Sequence, residues 1–328
     1  MANLETSYMG LNLKNPLVAA SSGITNSVEK IKKLEEAGIG AVVLKSIFEE
    51  QINNEVSSML EQDSHNVGYP EAEDYIKNYL HNNTITKHIQ LIEEAKKAVN
   101  VPVIASVNCF SSREWTSFAQ NFQEAGADAL ELNIFYVPVS RNENPDSVEQ
   151  LYLNVLNKVK KVVSIPVSVK IGMYHSNIIR MVDMLKANGA KGVVMFNRFY
   201  EPDIDLDKLE ITSSEIFSSP VEIRHTLRWV GMVSSQVKDI DIAASTGIHD
   251  GKAVIKQLLA GAKVTQLCSS LYLNGNVIVP AILSELEDFM NKWNFNNIDE
   301  FRGRLSYRKI KDPVIYERAQ FMKYFSAK

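Results

Sequence analysis

Two lysines stand where a lysine is costly. Each closes a short apolar run, Ala41-Val42-Val43-Leu44-Lys45 and Pro166-Val167-Ser168-Val169-Lys170. An ammonium group at the end of a buried run needs an anion, because burial without a partner is strongly unfavourable. Either lysine alone could snorkel to solvent or meet a structural carboxylate. Three asparagines, Asn108, Asn133 and Asn197, end further apolar runs, and Arg198 follows the last of them. Lysines and asparagines gathered on one rim could hold and polarise a small ligand. Ala20-Ser21, Ser46, Thr246-Gly247 and Ser269-Ser270 end the remaining runs. Small residues leading into helix N-termini suit phosphate, whose oxygens accept from backbone N–H groups. Tight turns without a ligand are the bland alternative. The six histidines show no metal-binding spacing, so no metal is expected.

The elements that must position these residues follow a loose repeat. LEEAGIGAVVLK (34–45), FQEAGADALELN (122–133), LKANGAKGVVMFN (185–197) and LLAGAKVTQLC (258–268) share one grammar. A helix end is followed by Gly, which closes helices in the left-handed region, and then by a short apolar run. VPVIASVN (101–108) and IPVSVK (165–170) are strands entered through proline. Strands are expected at 17–20, 41–45, 102–107, 129–133, 166–170, 192–196, 240–244 and 264–267. Amphipathic helices are expected at 27–37, 84–99, 112–125, 147–163, 177–188 and 251–260, with Ser147 and Gln150 as a capping box. Eight strands alternating with helices point to a closed (β/α)₈ TIM barrel of the α/β class, with an open doubly wound sheet as the alternative. The barrel takes residues 1–304 and a helical C-terminal extension takes 305–328. A hairpin over 4–15, turning at Gly10 or Asn12, caps the barrel bottom. Long loops follow strand two (47–83) and strand six (198–220), and long loops in compact domains tend to be functional.

Bulk properties narrow the function classes. The chain has 328 residues, 45% hydrophobic and 23% charged, with a net charge of −4. No basic cluster suggests nucleic acid, and no apolar stretch suggests a membrane span. Cys109 and Cys268 are too few and too far apart for a disulfide framework or an iron–sulfur motif. A cytoplasmic protein acting on a small molecule is the expectation.

At the rim the residues resemble the dihydroorotate dehydrogenase family in its soluble branch, over about residues 5–303. The resemblance rests on NPLVAASSG (15–23), VLKS (43–46), VGYP (67–70), ELN (131–133), SVKI (168–171) and STGI (245–248). It implies an FMN-bound barrel that oxidises dihydroorotate to orotate in pyrimidine biosynthesis. By position, Ala20, Ser21, Ser46 and Asn108 would bind the flavin. Lys45 would touch flavin and substrate, and Lys170 would stabilise the reduced ring. Asn133, Asn197 and Arg198 would bind substrate. Thr246, Gly247, Ser269 and Ser270 would hold the phosphate.

The pattern departs from the family at one central point. The family follows ELN with a Ser-Cys-Pro-Asn-like run bearing a Cys or Ser base, and here ELNIFYVPVS places Tyr136 there. A phenol is a poor base at neutral pH but can donate a proton. The asparagine expected before the Gly-Tyr-Pro segment falls at His65 or Asn66. Arg224 takes a position where the family has a glycine. Three alternatives therefore stand beside dihydroorotate oxidation. One is an FMN enzyme acting on another small anionic cyclic or unsaturated substrate, with Tyr136 as proton donor. Another is a non-catalytic flavin- or phosphate-ligand-binding barrel. The third is a phosphate-binding aldolase with Lys45 or Lys170 as Schiff-base nucleophile.

Overall fold

A computed structural model describes residues 2–48, 70–108, 112–198 and 201–317. Most of the loop expected at 47–83, with VGYP up to Tyr69, His65 and Asn66, lies outside the described residues, as do Cys109 and 318–328. The strands are β1 (Thr6–Tyr8), β2 (Leu11–Leu13), β3 (Leu17–Ala19), β4 (Ala41–Val43), β5 (Ile47–Phe48), β6 (Val103–Asn108), β7 (Ala129–Asn133), β8 (Val167–Ile171), β9 (Gly192–Met195), β10 (Pro202–Asp205), β11 (Glu210–Ser213), β12 (Asp241–Ser245) and β13 (Val264–Leu267). Eight of them close a parallel barrel in the order β3-β4-β6-β7-β8-β9-β12-β13, with β13 returning to β3. The (β/α)₈ expectation is met, and each barrel strand falls within one or two residues of its expected place.

The helices are α1 (Val28–Glu36), α2 (Pro70–Ala98), α3 (Ser112–Glu124), α4 (Pro145–Lys160), α5 (Ile178–Ala187), α6 (Ile223–Gln236), α7 (Gly251–Ala260), α8 (Ser269–Asn274), α9 (Ile278–Trp293) and α10 (Val314–Glu317). The glycines of the repeat behave as expected, with φ of 105° at Gly38, 92° at Gly126, 92° at Gly189 and 115° at Gly261. Two helix starts differ from expectation. Helix α2 begins at Pro70, so residues 70–83 are helical and not loop. Helix α4 begins at Pro145, with Asn144 Oδ1 capping the Asp146 N–H at 3.1 Å. Ser147 therefore lies inside the first turn and donates to the Asn144 carbonyl. Proline at a first helical position costs no hydrogen bond, which explains both starts.

Strand alternation sorts the core into two shells. One set of faces packs outward against the helices in a large apolar cluster that includes Leu44, Leu130, Val169 and Val193. The other faces the barrel axis. At the N-terminal end of the barrel this inner set is Val18, Ala41, Val43, Ile104, Ala129, Val194, Ala243 and Val264. The β1–β2 hairpin seals it with Tyr8, Met9 and Leu13, turning at Met9-Gly10. The Met9 N–H donates to Asp241 Oδ2 at 2.7 Å, tying the plug to β12. Among the described residues no helix is long and apolar enough to cross a membrane. The segment after β9 is a crossover carrying the β10–β11 hairpin, not a plain loop. After Leu305 the described chain runs through turns, and its only regular element is the four-residue α10.

Candidate active site

Toward the C-terminal ends of the strands the inner faces turn polar. Pairing of Glu131 with Ser168 and of Asn133 with Lys170 puts all four on the axis side of β7 and β8. Lys170 is buried, and its Nζ lies 3.9 Å from Glu131 Oε1. Gln266 on β13 donates from Nε2 to Glu131 Oε2 at 2.6 Å. A hydroxyl and amide chain crosses the rim beside this pair. Ser21 Oγ meets Ser46 Oγ at 2.9 Å, and Ser46 Oγ meets Ser106 Oγ at 2.7 Å. Asn133 reaches Ser46 at 3.5 Å, and Asn197 donates to Asn133 Oδ1 at 2.5 Å. Side chains from five strands are thus fixed against one another, as a preorganised polar site requires.

Above this floor lies a cavity of about 550 Å³. Ala20, Ser21, Lys170, Asn197, Thr246, Gly247, Cys268 and Ser269 line it, which brings together most of the residues expected there. Its roof is the crossover after β9. Arg198 Nε donates to Glu222 at 3.1 Å, and its terminal nitrogens donate to the Ile216 and Glu215 carbonyls at 2.8 and 2.9 Å. Arg198 therefore clamps the roof. It also lines the cavity, as expected from the sequence, with its charge already met by Glu222. The clamped segment delivers Ser218 into the cavity. The Ser218 N–H donates to Ser269 Oγ at 2.9 Å, and Ser218 Oγ lies 3.4 Å from the Gly247 N–H and 3.1 Å from His249 Nε2.

Thr246 and Gly247 both sit at φ 76°. A Cβ on Gly247 would lie 2.2 Å from the backbone nitrogen of Ile223, so only glycine lets the start of α6 approach the loop. Burial raises the Cys268 thiol above its ordinary value, opposed by the Lys170 charge and a Ser22 hydrogen bond.

Seven described residues singled out in the sequence do not line this cavity, Ser46 among them. Lys45 lines a separate cavity of about 260 Å³ with His88, Thr84 and Lys87. The reason is a register slip. Val43 lies opposite Ile104 but Ile47 lies opposite Val107, so one extra residue bulges between β4 and β5. A bulge re-aims side chains, and here it turns Ser46, not Lys45, toward Ser106. Asn108 ends β6 half-buried, outside the cavity lining. Ser270 is fully buried beneath the cavity, so only Ser269 of that pair faces it. Asn133 acts from behind, through Asn197. Tyr136 lies outside the cavity on the loop after β7 and donates to Glu143. That carboxylate, with some burial and its negative charge, raises the phenol above its ordinary value. Arg224 is exposed on α6 and lines no part of the cavity.

Sequence reading missed Glu131, Gln266, Ser218 and Glu222. Glu131 carried a signal, since a glutamate inside the apolar run ALELN needs a partner as much as a terminal lysine does.

Comparison with known proteins agrees with this architecture. The model of the dihydroorotate dehydrogenase family matches residues 3–290. The catalytic subunit of dihydroorotate dehydrogenase B (NAD(+)) from Thermoplasma volcanium is 29% identical over 318 residues, covering 92% of this chain and 98% of that protein. The same subunit from Thermoplasma acidophilum is 28% identical, covering 92% and 99%. Dihydroorotate dehydrogenase A (fumarate) from Limosilactobacillus reuteri is 27% identical, covering 89% and 94%.

Proposed function

The chain belongs to the dihydroorotate dehydrogenase family, and from that premise we propose an FMN-dependent oxidoreductase acting on a CH–CH group, oxidising dihydroorotate to orotate in pyrimidine biosynthesis. The observation that carries the proposal is Lys170, a buried cation on the floor of a cavity whose far end gathers Ser218, Gly247 and Ser269.

The residues fit FMN. A volume of about 550 Å³ is in the range of cofactor sites. Ser269 Oγ, the Ser218 hydroxyl and the Gly247 N–H converge within hydrogen-bond reach of one another, a donor set suited to phosphate. When bound, the flavin supplies the hydride acceptor. Ala20 and Ser21, which line the cavity, would hold the ring with an apolar face and a hydroxyl. Lys170 is a fixed positive charge where negative charge develops on reduction, the kind of preorganised field that lowers a barrier most. Asn197, braced by Asn133, orients the substrate. Arg198 ties the crossover segment that forms the roof to Glu222 and to the Glu215 and Ile216 carbonyls.

Removal of a substrate proton at neutral pH is not a task for Tyr136. A phenol raised by Glu143 stays protonated. A second reading, in which the enzyme reduces an unsaturated substrate and Tyr136 donates the proton, requires the phenol to leave Glu143 and reach a cavity it does not line here. Tyr136→Phe is then expected to slow substrate-driven flavin reoxidation by at least about tenfold, measured by stopped-flow absorbance. Unchanged reoxidation would remove Tyr136 from the chemistry.

The direct test of the function is the visible spectrum of the purified protein before and after anaerobic dihydroorotate. A flavin band that bleaches is the expected result. A flavin band that does not respond moves the substrate to another small unsaturated ring. Failure to take up FMN at all overturns the proposal. A homodimer acting in the cytoplasm completes this reading, and light scattering on the eluted protein checks the two-copy mass.

A further inference from the structure

We propose that Glu131 is a positioning residue that keeps Lys170 charged and aimed into the cavity, so that the flavin site works through a buried Glu–Lys couple and not through the lysine alone. The pairing stands on geometry. Its consequence for the flavin rests on the function proposed above.

Glu131 sits in the interior of the barrel, 1% exposed, one layer below Lys170. Its Oε2 accepts from Gln266, whereas Oε1 has no hydrogen-bond partner and faces Lys170 at 3.9 Å. Packing does not demand a carboxylate here. Glutamine has nearly the same shape and could still accept from Gln266. Charge is what a carboxylate adds, and burying it is worthwhile only if it answers another buried charge.

The groups around the couple leave that assignment unopposed. Lys170 is approached by Glu131 and Asn133 from β7 and by Cys268 from the end of β13, while Arg198 on the same rim is paired with Glu222. The Cys268 thiol is pushed up by burial and stays neutral at neutral pH. From below, Glu131 is approached by the Tyr8 phenol, held well above its ordinary value by burial and then by Glu131 itself, so it too stays neutral. Among the described residues, Glu131 is therefore the anion that Lys170 faces. Without it, desolvation disfavours the ammonium form, and the site loses its cation as pH rises.

The test is Glu131→Gln, read in two ways. In flavin-free protein carrying ¹³Cε-labelled lysine, the Lys170 resonance is assigned by its loss in Lys170→Met. Its proton affinity is expected to fall at least about tenfold relative to the parent. Titrations that coincide in parent and variant would overturn the proposal.

With FMN bound, the flavin midpoint potential between pH 6 and pH 9 is the second reading. The variant should lose at least about tenfold of its preference for reduced flavin by pH 9, about 30 mV for a two-electron couple. Parallel curves would again overturn the proposal. Should the single variant fail to fold, Glu131→Gln/Lys170→Met removes both charges together and is expected to fold, since neutral pairs replace buried ion pairs at little cost. A double variant that also fails to fold would count against the couple. If the parent takes no flavin, the function above fails while the lysine titration still decides the pairing.

Discussion

The two ends of the barrel are built from the same eight strands and obey opposite rules. At the N-terminal end the axis is filled with Val18, Val43, Ile104, Val194 and Val264, and the hairpin presses Tyr8, Met9 and Leu13 onto them. At the C-terminal end the next inner positions are Ser106, Glu131, Ser168, Lys170 and Gln266, and the chain leaves a cavity over them. One end is closed by dispersion and apolar burial. The other is held, among the described residues, by directed hydrogen bonds and by the ion pairs Lys170–Glu131 and Arg198–Glu222. A barrel can carry a polar site because its stability is made elsewhere, which is why bottom-face residues serve stability and top-face residues chemistry in this architecture.

The sharpest way to break that division is at Lys170. Lys170→Met is expected to slow substrate-driven flavin reduction by about 10²- to 10³-fold, the usual cost of removing one preorganised charge from a site where charge develops. Stopped-flow absorbance with FMN bound measures it. A loss below about threefold would mean that the top end does not work through this cation.

The complementary break lies at the bottom. Leu13 is 2% exposed against the inner layer. Leu13→Ala is expected to cost about 3 kcal/mol of stability through lost burial and the cavity left behind. Flavin absorbance and reduction rate should be unchanged. Chemical denaturation and the visible spectrum give the two readings on one sample. A variant that kept its stability but lost flavin would join the two ends that the structure separates.

Legibility in the sequence follows the same line. The strands were readable because their residues are apolar on both faces and the preceding glycines need φ > 0, a demand that local sequence states openly. The bottom hairpin was readable from Gly10. The rim was readable as a list of residue types, and most of them do meet: Ser21, Asn133, Lys170, Asn197, Gly247 and Ser269. Orientation was not readable. The extra residue between Val43 and Ile47 reverses which of Lys45 and Ser46 faces the axis, and no composition rule announces a bulge there. Arg198 depends on carbonyls of Glu215 and Ile216, contacts that exist only once the crossover has folded. Glu131 lies one layer below the strand ends, and only its place inside the apolar run ALELN marks it in the sequence.

His88 sharpens the comparison from the flank, where α2 packs on the barrel. Burial, with the Lys45 charge beside it, pulls its imidazole from the ordinary 6.5 to about 4. The folded protein therefore binds this proton less readily than the unfolded chain. Stability from this group is fully present above about pH 6.5 and is lost as pH falls toward 4. The full shift corresponds to roughly 3 kcal/mol at 1.36 kcal/mol per unit, an upper figure for a group that retains some contact with solvent. His88→Leu should flatten the parent's loss of stability between pH 6.5 and 4, read from urea midpoints at each pH. Parallel pH profiles in the two proteins would show that His88 is not buried in this way.

The smallest expected effect tests whether the top end gives up stability for its site. Thr246 is β-branched yet sits at φ 76°, a region that threonine avoids. Such backbone strain costs about 1–3 kcal/mol and persists only where the surroundings impose it. Here they do: Gly247 is pressed against Ile223, and Thr246 Oγ1 donates to the Phe196 carbonyl at 3.3 Å. Asparagine tolerates the left-handed region and keeps a donor at the position. Thr246→Asn should therefore raise stability by about 1 kcal/mol while lowering FMN affinity, because the longer side chain enters the cavity that Thr246 lines. Denaturation of the flavin-free protein and FMN fluorescence titration separate the two effects. Gain of stability with unchanged affinity would mean the strain serves no ligand. Loss of stability would mean that the threonine hydroxyl outweighs the strain, and that the top of this barrel is as well settled as the bottom.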